Sequence, residues 1–183
     1  MSFIAQVTIS IVIYFIIRFF YQKEKSLYFA GFIAAFSYVL IYLATYEIIS
    51  IMPTIHFMVT GLSLLFIFIA YNEIIILERK VRKVKKGELI NIEPFSVERN
   101  YKIVFKLLGI GLFFLSLALV SGFTLQTIFT ANLLFKAIFT FIAWIIFLIT
   151  FIGVQYANFP IKYATRSLFV SMWAVLGLSL IHI

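Results

Sequence analysis

In the stretch "MPTIHFMVTGLSLL", residues 52 to 65, a histidine stands at the threshold of a long apolar run. The chain holds two histidines, His56 and His182, and no cysteine. A neutral imidazole is the side chain best suited to hold a metal or a metal-bearing cofactor here. Without thiols there is no disulfide, iron–sulfur ligation or thiolate zinc site. The competing reading of His56 is a polar residue where a helix leaves the membrane, bonded to water or lipid, with Thr54 as the helix cap. Asn72 and Glu73 are polar within an apolar run, but a turn from its foot they reach water and read as structural. No nucleophile–base pair, phosphate loop or paired carboxylates can be found, so an enzyme is not expected.

The elements that must position these groups are apolar helices. Hydrophobic residues make up 64% of the chain and charged residues 12%, against about half and a quarter in a soluble domain. Charge-free blocks cover residues 1–17, 26–46, 48–72, 107–135, 137–161 and 167–183. A helix needs about 20 residues to cross the hydrocarbon. The two short end blocks reach that length if Arg18 and Arg166 snorkel to the interface. A membrane barrel would alternate with period two, and "FLITFIGV" does not. The expected fold is an all-α polytopic membrane bundle, one domain over 1–183, with six transmembrane helices near 3–21, 27–49, 55–77, 102–123, 133–154 and 164–182. The first has no basic start or small-residue cleavage site, so it reads as a span.

Charge orients these spans. Of 15 basic residues, 14 fall at one side of an alternating topology; Lys136 is the exception. The positive-inside rule makes that side cytoplasmic and places both termini outside. The net charge of +8 is mostly this signal. No soluble basic module is present, so nucleic acid is not an expected partner, whereas the lipid bilayer is. The polar connector 78–102, "ERKVRKVKKGELINIEPFSVERNYK", begins as an extension of the third helix to about Lys86. Glu78 and Arg82 stand at i, i+4, Gly87 is a stop, and Ser96 caps the next helix after Pro94. Gly109 and Gly111 permit close helix packing.

Three segments in order carry a resemblance. They are "IHFMVTGLSLLFIFIAYNEIIILERKVRK", "PFSVERNYKIVFKLLGIGLFFLSLALVSG" and "LLFKAIFTFIAWIIFLITF". The marks are His56 opening a span, an "ERK" exit, then Pro94 with Ser96-Val97-Glu98-Arg99, Ser121-Gly122, Lys136 and Ala143-Trp144. Together, over residues 53 to 176, they resemble the cytochrome c assembly transmembrane family, in its HemX-like or YpjD-like bacterial inner-membrane branch. The resemblance implies haem handling during cytochrome c maturation, other maturation components as partners, and histidines near the outer face as haem ligands. It makes His56 an axial ligand candidate for haem iron. Glu47, at the outer end of the second helix, becomes a possible partner that hydrogen-bonds the far imidazole nitrogen; otherwise it is an interfacial carboxylate.

The chain departs from that family in three places. It has no "WWD" motif, and Trp144 and Trp173 lie inside spans. Phe135 occupies the position before Lys136 where many relatives carry histidine. The front is shorter than in relatives. "LSLIHI", residues 178 to 183, looks like a translated sequencing adapter, which would make the chain a truncated member and His182 an artefact. Two functions therefore stand: a haem-binding or cytochrome c assembly protein, and a transport accessory or structural membrane subunit without cofactor.

Overall fold

The computed structural model describes residues 3–20, 26–45, 51–87, 97–125, 131–157 and 161–180. These form six helices: α1 (Phe3–Phe20), α2 (Ser26–Thr45), α3 (Ile51–Lys85), α4 (Val97–Leu125), α5 (Ala131–Ala157) and α6 (Ile161–Leu180). No strand occurs among the described residues. Five helices are long and apolar enough to cross a membrane. The sixth, α6, opens with Lys162 and Arg166 in its first turns, which dilutes its apolar run.

Helix α3 is the hub. It packs against α1, α2, α4 and α6, while α4 also meets α5, and α5 meets α6. Its 35 residues span about 52 Å at 1.5 Å per residue, well beyond the roughly 30 Å of hydrocarbon. The expected extension past the membrane is therefore present. It ends where the sequence placed its stop. Gly87 takes a φ of 73°, a conformation costly to residues with a Cβ. Its N–H donates to the Val84 carbonyl at 3.0 Å, and Arg82 donates to Glu78 at 3.0 Å on the turn before. The other end differs from expectation. The helix already includes Ile51, so Thr54 lies within its first turns and is not the cap. Pro53 is tolerated there because first-turn N–H groups have no intrahelical partner. Helix α4 is described from Val97 onward; the expected cap Ser96 and Pro94 before it lie outside the described residues.

Lipid is as apolar as leucine, so burial alone does not pair helices in a membrane; close packing and interhelical hydrogen bonds must. Both are seen between α3 and α4. A Cβ on Gly111 would lie 2.8 Å from Ile67 Cγ1 and 3.2 Å from its backbone nitrogen. The glycine thus lets the two backbones approach, and Ser63 donates to the Gly111 carbonyl at 3.1 Å. Phe66 and Phe114 stack across the same seam at 5.9 Å. Gly109 gives the equivalent space to Phe151 of α5. Between α2 and α3, the buried Tyr38 ring lies over Gly61 and donates to the Phe57 carbonyl at 3.1 Å. Trp144 of α5 donates to Ser116 of α4 at 2.9 Å, so its indole N–H is satisfied inside the bundle.

These contacts set helix direction. Ser63 with Gly111 and His56 with Ser121 make α3 and α4 antiparallel. Phe3 with Phe57 and Tyr14 with Glu73 make α1 and α3 parallel. The C-terminal end of α3 and the N-terminal ends of α4 and α6 share one end of the bundle, with Arg18 of α1 toward the same side. This is the basic end; His56 lies at the opposite one.

Candidate functional site

His56 sits one turn into α3, half-buried, with its ring against α4. Its Nδ1 is 2.9 Å from Ser121 Oγ. That hydroxyl has one proton, which it donates to the Ala118 carbonyl at 3.1 Å. With that proton directed to Ala118, the hydroxyl's lone pairs are left for the imidazole, which assigns the tautomer with Nδ1 protonated and the lone pair on Nε2. The ring also rests on Gly122, where a Cβ would come within 3.3 Å of His56 Cε1. Ser121 and Gly122 thus form a polar anchor and a flat seat. Beside them, Ile55 and Phe57 are about half exposed as apolar surface, and Met58 packs against the core.

The other sequence candidates do not join this cluster. Glu47 and His182 lie outside the described residues. Phe135, which the resemblance sets opposite a second histidine, is 61% exposed. His56 is the sole histidine among the described residues, which also hold no group of three or more His, Asp or Glu able to bind a metal ion. Among the described residues the donor set fits one axial imidazole.

A second polar cluster departs from the sequence expectation that Glu73 reaches water. Glu73 does not reach water: it is buried at 4% exposure. Tyr14 Oη donates to its Oε1 at 2.6 Å and Arg18 Nε donates to the same oxygen at 3.0 Å. Arg18 accordingly does not snorkel outward but turns into the bundle, its side chain 18% exposed. Asn72, by contrast, bonds its own helix, donating to the Phe68 carbonyl at 2.8 Å. The missed signal was spacing. Gln6, Ser10, Tyr14 and Arg18 recur every four residues in an otherwise apolar helix, which puts them on one face. The first three are fully buried. Gln6 donates to Thr45 of α2 at 2.7 Å, and its buried Oε1 has no partner among the described residues. Helix α1 therefore presents a polar stripe to the bundle, with Val7, Ile11 and Ile17 packed beside it.

Comparison with protein-family models, with curated proteins and with solved structures gives no match to this chain. The chemistry of the site rests on its own geometry.

Proposed function

We propose that this helical membrane protein handles haem in the manner of the cytochrome c assembly proteins it resembles, presenting His56 as a single axial imidazole at the outer face of a bacterial inner membrane. The observation that carries this reading is the His56–Ser121 bond. A ligating histidine commonly donates its other ring N–H to a fixed acceptor, which sets the tautomer and orients the ring. Ser121 takes that part, left to Glu47 by the sequence, and Nε2 is the nitrogen offered to iron. Apolar Ile55 and Phe57 supply a wall for a porphyrin beside it. Haem, when bound, would supply an iron centre; the chain's own part is to hold and orient one ligand. Lys80, Lys102 and the other exposed charges of the basic end lie in the cytoplasm in this arrangement, with both termini outside.

The test is the haem absorbance of purified protein supplied with haem. Wild type should carry a haem band that His56→Ala abolishes while membrane insertion is retained. Haem-free wild type, or an undiminished band in His56→Ala, sinks the reading.

A second reading keeps the fold without the cofactor: a transport accessory or structural subunit in which His56 is an interhelical clamp. It is favoured by the closeness of the imidazole to Ser121 and Gly122, which satisfies one nitrogen and half-buries the ring without any ligand. Under it, His56→Gln preserves stability and no haem is found.

A further inference from the structure

The basic end contains a cleft between α3 and α6 whose position matches the membrane interface. Its volume is about 470 Å³ and it is lined by Glu78, Arg82, Lys162 and Arg166. Three cations face one carboxylate, a net excess of two positive charges. Glu78 is already bonded to Arg82 at 3.0 Å. Lys162 and Arg166, four residues apart and so on one face of α6, have no carboxylate in ion-pair range among the described residues. Just inside the cleft the helices close, where Tyr71 and Phe169 meet at 6.1 Å between ring centroids. The apolar run of α3 ends at Leu77, and that of α6 starts at Ser167. The cleft therefore opens at the depth where both helices leave the hydrocarbon.

The geometry points to a binding site for the phosphate of an anionic phospholipid headgroup in the leaflet at the basic end. A guanidinium pairs with phosphate oxygens in a bidentate fork, and a lysine adds a point charge. A phosphate at this depth arrives attached to acyl chains. Phe169, about one turn along α6 from Arg166 and 46% exposed, gives those chains an apolar path back into the bilayer. A free phosphate would find the same cations but would leave that path unused.

The site is tested by native mass spectrometry of the full chain in neutral-detergent micelles with added phosphatidylglycerol. Wild type should retain one lipid. The double variant Lys162→Gln/Arg166→Gln should weaken retention by roughly fivefold for each cation removed. Both side chains are solvent-exposed, so the helix should fold unchanged, which circular dichroism checks. The control Lys85→Gln/Lys86→Gln removes equal charge from the exposed foot of α3 and should leave retention unaltered. An equal loss in the control would mean a general field effect and overturns the site. No loss in the cleft variant overturns it as well. Inorganic phosphate supplies the third arm: if it displaces phosphatidylglycerol at submillimolar concentration, the site selects free phosphate and the lipid assignment is wrong.

Discussion

Arg18 of α1 and Glu73 of α3, 55 positions apart in the chain, meet inside the bundle with Nε 3.0 Å from Oε1. Tyr14 adds its hydroxyl to the same oxygen, so the carboxylate is shared between a cation and a neutral donor. A charge in this setting is costly unless its partner stays in place.

Glu73→Ala should therefore destabilise the protein strongly, by about 3–5 kcal/mol as for other broken buried pairs, because Arg18 is left without its carboxylate. The double variant Arg18→Leu/Glu73→Leu should be milder than Glu73→Ala. Tyr14→Phe removes one hydrogen bond and should cost about 1 kcal/mol. Unfolding in mixed detergent measures all three. A double variant less stable than Glu73→Ala would show that the unpaired Arg18 charge is not what destabilises the single change.

At the other end of the bundle, Ser121→Ala should release the imidazole from its tautomer. The stability cost is small, about 0.5–1.5 kcal/mol. If haem is bound through His56, its affinity should fall 10- to 100-fold, the usual effect of losing the partner of a ligating histidine. Haem titration followed by absorbance reads this directly, and unchanged affinity would remove Ser121 from the site.

Gly61 tests the packing of α2 on α3. A Cβ there would sit 1.9 Å from Tyr38 Oη and 2.2 Å from Tyr38 Cζ, and the ring is fully buried. Gly61→Ala should cost about 1–3 kcal/mol as an overpacked core does. Combining it with Tyr38→Leu should recover part of the loss. Gly87→Ala, at an exposed turn with nothing within 4 Å of its added Cβ, should cost less, through backbone strain alone.

Topology has its own check. A reporter fused after Gly87 should be active on the cytoplasmic side, since 14 of the 15 basic residues belong to that end. Activity on the outer side would reverse the orientation and move His56 to the cytoplasmic face.

By itself the sequence determined the helical class, the approximate positions of the helices, the extension of α3 beyond its apolar run and its stop at Gly87. These depend on local facts: backbone groups in lipid must bond within their own segment, and a glycine accepts a φ that other residues resist. It also marked Gly109 and Gly111 as places of close approach. It did not determine which helix each polar group would meet. In a soluble helix an apolar stripe points to the core; in these helices nearly every face is apolar, so that pointer is lost. The four-residue spacing of Gln6, Ser10, Tyr14 and Arg18 was present in the sequence, but only the tertiary structure brought Glu73 to it. Charge at a helix end reads equally as snorkelling outward or pairing inward, and the choice for Arg18 depends on a carboxylate from α3 standing within reach. His56 followed the same rule. Its place at a helix start was legible, while Ser121 as its partner required the antiparallel register of α3 and α4, which glycine-mediated packing sets across the bundle.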